Sequence, residues 1–104
     1  MKSRSRWKAV EREVAADFGG KRVPVSGRAR GDAPDIDCPN YSVEVKAGRT
    51  ALSASKIRQA QDQARAAAVG TGKLPISVHI QSTQGRPAFR VVIVPYEVFI
   101  EEFV

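Results

Sequence analysis

The sequence predicts an α/β (α+β) protein with a mixed central sheet flanked by helices, and three patterns carry that prediction. Apolar Trp7, Val10, Val14 and Phe18 recur at helical spacing near the start of the chain. Ile57, Ala60, Ala64, Ala67 and Ala68 make a second, narrower helical stripe of mostly small residues. Between and after these helices, Ser42 to Lys46 and Leu74 to Ile80 alternate apolar and polar residues with the period of two that marks strands. The order is helix, three strands, helix, two strands, read as one domain over residues 1–104.

The first helix runs from about Ser3 to Phe18, and Gly19-Gly20 ends it. Its helical phase puts Glu11 inside the apolar stripe and Glu13 outside it. An inward carboxylate is costly to bury. Glu11 is therefore either a site residue or a stripe-edge group that reaches solvent or an arginine. Arg22 to Ser26 reads as a short first strand, and Pro24 confines it to an edge or an irregular position. A glycine-rich basic loop with Arg28 and Arg30 follows. The segment from Ala33 to Lys46 reads as a hairpin turning at Pro39-Asn40. With a two-residue loop centred there, Asp35 stands directly across from Glu44. Ser42, Glu44 and Lys46 then share one face, and Val43 and Val45 share the other.

Ser53 or Ser55 caps the second helix, which runs to about Val69 and stops at Gly70-Thr71-Gly72. Leu74 to Ile80 is expected as a half-buried strand, and Ser82 to Pro87 as a loop. Phe89 to Val94 is nearly continuous in apolar residues, as for a strand covered on both faces. Tyr96 to Phe103 reads as a short amphipathic helix with Val98, Phe99 and Phe103 turned to the domain. His79, the only histidine, reads as a surface or interface residue.

Composition narrows the function. Of the 104 residues 42% are hydrophobic and 27% charged, the balance of a soluble globular protein. Seventeen Lys and Arg against eleven Asp and Glu leave a net charge of +6, which favours a polyanionic partner. Cys38 is the single cysteine, so no intrachain disulfide forms and a reducing compartment is expected. No apolar run approaches a membrane span and no signal region follows the basic start, so the expected location is cytoplasmic, without a membrane partner.

The chemistry centres on Asp35, Glu44 and Lys46. Two carboxylates at one strand spacing repel unless one is protonated or a cation lies between them. Mg²⁺ suits the second case, since it takes one or two carboxylates and completes its shell with water and phosphate oxygens. Pro34-Asp35 followed by Glu44-Val45-Lys46 resembles the PD-(D/E)XK nuclease signature. With Glu11-Arg12-Glu13-Val14, Val25-Ser26-Gly27 and Gln63-Ala64, most of the chain resembles small phage-type and archaeal Holliday-junction resolvases.

The resemblance implies a restriction-endonuclease-like αβββαβ core and an endodeoxyribonuclease acting as a homodimer on four-way junctions or other branched DNA. It implies that Asp35, Glu44 and the Val45 carbonyl hold Mg²⁺, with Mn²⁺ as a substitute. Glu11 would support a second metal position, Lys46 would face the scissile phosphate, and Gln63 would reach the site. Periodicity instead sets Gln61 nearer the core than Gln63. Such resolvases carry an arginine on the first strand, for which Arg22 or Arg28 could stand in. The DNA-contact candidates are Arg4, Arg6, Lys8, Ser26, Arg28, Arg30 and Gln63, and the basic ones read equally as solvated surface. Tyr96, Phe99, Ile100 and Phe103, or the strand around His79, are candidate dimer surfaces, unless the aromatics close the chain's own core. Other readings remain open: the same nuclease on nicked, flapped or single-stranded DNA, a non-catalytic nucleic-acid-binding module, or Glu44 and Lys46 as an ordinary ion pair on an exposed strand.

Overall fold

A computed structural model describes residues 2–23, 34–48, 52–83 and 86–104, leaving aside the side chains of residues 2–7, 83 and 86–88. Pro24, Ser26, Arg28 and Arg30 lie outside the described residues, as do the side chains of Arg4, Arg6 and Trp7. The elements are α1 (Lys2–Asp17), β1 (Lys21–Arg22), β2 (Ile36–Asp37), β3 (Tyr41–Gly48), α2 (Ala54–Ala68), β4 (Leu74–Thr83), β5 (Arg86–Ile93) and α3 (Tyr96–Phe103). They form a mixed five-stranded sheet in the order β1-β2-β3-β4-β5 with three helices. Only β3 and β4 run parallel, and α2 is the crossover between them. No helix among the described residues is long and apolar enough to cross a membrane.

The hairpin forms in the register its turn demands: Ile36 pairs with Val43 and Asp37 with Ser42. Where β2 runs into that turn, the α1–β1 connection comes down hard on the strand. Gly19 takes a positive φ of 70°, and a Cβ on Gly20 would stand 2.3 Å from the Asp37 carbonyl. Any side chain there would push α1 off the sheet.

The sheet has two unlike faces. On one, Ile36, Val43, Val45, Ile76, Val78 and Ile80 pack with Val14 and Ala15 of α1, and Val10 and Phe18 lie against them. On the other, Ser42, Glu44 and Lys46 of β3 lie beside Ser77 and His79 of β4. Here α2 covers the sheet. Ser53 caps it by accepting from the Lys56 amide, its buried residues are Ala60, Ala64 and Ala67, and Ser42 Oγ donates to the Ala64 carbonyl at 2.8 Å. A stripe of alanines lets the helix sit close enough for that bond.

Three expectations change. β4 is not half-buried: Ile76 to Ile80 are all buried, because the apolar core covers one face and α2 the other. β5 is not covered on both faces. It is an edge strand, with Phe89 and Val92 about half exposed, and β4 and β5 extend into the segment expected as a loop. Phe99 and Phe103 do not seal the domain. They are also about half exposed and stack on each other with ring centroids 5.6 Å apart.

Candidate active site

Asp35 sits at the start of β2, held by its backbone and its carboxylate together. Its N–H donates to the Val43 carbonyl (3.1 Å) and its carbonyl accepts from the Val23 N–H (2.8 Å). Its Oδ2 accepts from the Val45 N–H at 2.7 Å. Ile36 pairs with Val43, so Asp35, one residue earlier, lies beside the Val43 to Val45 stretch of β3 that carries Glu44. Both acids are only 6% exposed, a burial that carboxylates rarely reach without strong compensation. The N–H and C=O of a strand residue face the same neighbour. The Val45 carbonyl therefore faces the Asp35 side too, adding a neutral oxygen donor to two acidic ones.

Lys46 follows on the same face, half-buried, with His79 as its partner across the parallel ladder. His79 is 3% exposed, so the expectation of a surface residue is overturned. Its Nε2 lies 2.8 Å from Ser77 Oγ. Burial first, and the Lys46 ammonium second, hold its imidazole below the ordinary value. Lys46, Lys56, Gln59, His79 and Gln81 line a cavity of about 240 Å³ between α2 and the ends of β3 and β4. The sequence shows only that residues 77 and 79 share a phase; the parallel pairing of β4 with β3 is what brings that phase beside Glu44 and Lys46.

Glu11 is inward, as its helical phase requires: 17% of its side chain is exposed, against 59% for Glu13. It pairs with Arg22 on β1, Nε to Oε1 at 2.5 Å. It lines a second cavity of about 250 Å³ with Val10, Val45, Lys46 and Ala47. Glu11 thus meets Lys46 but does not join the two acids, because it belongs to the α1 side of the sheet. Among the described residues no group of three or more His, Cys, Asp or Glu could hold a metal ion.

Gln63 is exposed and lines neither cavity, while Gln59 lines the first. Geometry explains the correction. The Ser42–Ala64 bond fixes that level of α2 over Ser42, roughly 13 Å along the strand from Lys46. Gln59 lies one turn nearer the helix start and so nearer Lys46. Gln61 is half-buried but lines a separate surface cavity with Arg58 and Arg65. Lys8 is exposed on α1. Comparisons with family models, curated proteins and solved structures find no match to the chain.

Proposed function

We propose that the chain is a Mg²⁺-dependent DNA endonuclease of the PD-(D/E)XK type, acting as a homodimer on branched DNA. The observation that carries the reading is the burial of two carboxylates, Asp35 and Glu44, with Asp35 bonded to the Val45 N–H beside Glu44 and Lys46 next on the face of Glu44. The element order from α1 to β4 supports a restriction-endonuclease-like αβββαβ core.

The donors present fit a hard cation: two buried carboxylates and a carbonyl oxygen on one side of β3, with room left for water and phosphate oxygens. A bound Mg²⁺ supplies Lewis acidity toward the phosphate and an activated water. The chain's own residues do the rest. Asp35, fixed by the Val45 N–H, and Glu44, fixed by the sheet, present their oxygens without reorganisation. Lys46 brings a cation to the charge that develops on the phosphate. Glu11, which lines the neighbouring cavity, pairs with Arg22 and so holds a second cation near it. The net charge of +6 draws the polyanion. Exposed Tyr96, Phe99, Ile100 and Phe103 on α3 offer a surface to a second copy, and a two-fold dimer supplies the paired sites that two opposed cuts need.

The test is incubation with a four-way junction, linear duplex and single-stranded DNA, with and without Mg²⁺, alongside light scattering for mass. Mg²⁺-dependent nicking of the junction by a dimer is expected. Tight binding with no cleavage would leave only a nucleic-acid-binding module. A monomer that cuts linear duplex as readily as junction would remove the branched-DNA reading. Affinity should fall by about 10²-fold or more between 50 and 200 mM salt if phosphate contacts dominate.

A further inference from the structure

We propose that His79, pinned by Ser77, is a positioning residue that holds the Lys46 ammonium at the candidate site, a role that rests on the nuclease reading. Three observations converge on it. The parallel register places His79 directly beside Lys46 and Ser77 directly beside Glu44. Thus β4 lines the pair Glu44 and Lys46 with a second pair, at a strand spacing of about 4.8 Å. The His79 ring is fixed on both counts that matter, by 3% exposure and by the 2.8 Å contact of Nε2 with Ser77 Oγ. Lys46 also lines both cavities, one with His79 and one with Glu11.

A lysine has four side-chain torsions, and every rotamer that carries the ammonium away from the phosphate is lost to the reaction. A rigid ring on the adjacent strand removes some of those rotamers. An aliphatic residue of similar bulk would also fill the space. It would lack the Ser77 bond that sets the ring's angle. A second cation in that position would repel Lys46, whereas an uncharged imidazole does not.

The experiment compares His79→Ala, His79→Gln and Lys46→Ala, singly and combined, on a cleaved substrate. His79→Ala is expected to lower kcat on the order of tenfold with KM for DNA unchanged, and His79→Gln, which can still reach Ser77, to recover most of it. In the Lys46→Ala background, His79→Ala should cost nothing more, because the residue it positions is gone. Multiplying effects in the double variant, or full activity in His79→Ala, would overturn the proposal.

A second readout does not depend on cleavage. Reductive methylation with ¹³C-formaldehyde labels the lysines, and the Lys46 resonance is assigned by its loss in Lys46→Arg. That resonance should move in His79→Ala while those of the Lys8 and Lys73 amines stay in place. A Lys46 resonance that does not respond overturns the positioning role even in an active enzyme. A shifted one in a protein that never cuts DNA removes the nuclease reading and keeps the contact.

Discussion

The two faces of the sheet are built from alternate residues of the same two strands, yet they follow opposite rules. On the α1 side β3 and β4 contribute Val43, Val45, Ile76, Val78 and Ile80, which pack with Val14 and Ala15 in one apolar cluster. Each such side chain is worth about 1.5–3 kcal/mol when fully buried. On the α2 side the same strands contribute Ser42, Glu44, Ser77 and His79, all buried, and the buried residues of the helix above them are alanines. That face buries little hydrocarbon and much polarity. One face carries the apolar core, and the other buries polar and ionisable groups, as the proposed site would require. Each element can serve both because a strand's period of two separates the tasks residue by residue.

The strongest way to break this division is to remove charge from the α2 face without changing shape. Asp35→Asn and Glu44→Gln should drop cleavage below about 1% of the native rate, the range for losing one group that supports transition-state charge. Thermal stability should barely change, since an asparagine oxygen still accepts from the Val45 N–H. DNA affinity should hold or rise as negative charge leaves the groove. Near-native cleavage in both variants would empty the face of its catalytic role. Lys46→Ala should follow at about 10²-fold with metal affinity intact by calorimetry, because an ammonium is not a ligand. Loss of metal binding with Lys46 would show its role to be misassigned.

The opposite face should fail in the opposite way. Ile76 precedes Ser77 in β4 and points to the apolar core at 2% exposure. Ile76→Ala should cost about 2–5 kcal/mol in denaturant unfolding, with the cleavage rate per folded molecule unchanged. A rate loss larger than the loss of folded protein would mean that the faces are not separable. Between the two lies Glu11. Its pair with Arg22 is mostly buried, and that of Glu13 with Arg90 is largely exposed. Glu11→Gln is expected to cost about 1–2 kcal/mol and Glu13→Gln under about 0.5, with a cleavage defect only in the first. Equal costs, measured by urea unfolding, would undo the distinction drawn from helical phase.

What the sequence could reveal follows from which forces are local. The turn at Pro39-Asn40 set the hairpin register, with Ile36 on Val43 and Asp37 on Ser42, because a two-residue loop leaves one way to close. The Ser53 cap, the alanine stripe of α2 and the inward phase of Glu11 were readable for the same reason. Strand order was not. An apolar run such as Phe89 to Val94 looks the same in a central strand and in an exposed edge, and only the sheet order makes β5 an edge. The burial of His79 and the choice of Gln59 over Gln63 both depend on where β4 and α2 land against β3. That placement is set by long-range packing, which no single segment records.

The smallest effect, and the finest test of the comparison, is in the pH dependence of stability. His79 is held below its ordinary value of 6.5, first by burial and then by Lys46. Well above 6.5, from about pH 7.5 upward, the imidazole is neutral in folded and unfolded chains alike, so it adds almost no slope. As pH falls below 6.5 the unfolded chain takes up a proton that the folded chain refuses, and stability declines until the pH passes the lower folded value, where the slope vanishes again. The slope in that window is at most about 1.4 kcal/mol per pH unit, the value for one proton. Replacing the ring, as in His79→Gln, should remove this component and leave that of the carboxylates. Lys46→Ala should shrink it without abolishing it, because burial remains once the charge is gone. Urea unfolding without metal, stepped from about pH 7.5 to 5, measures all three proteins. If the wild-type and His79→Gln slopes coincide, the imidazole is not kept neutral by the α2 face, and the polar side of the sheet is wetter than its burial implies.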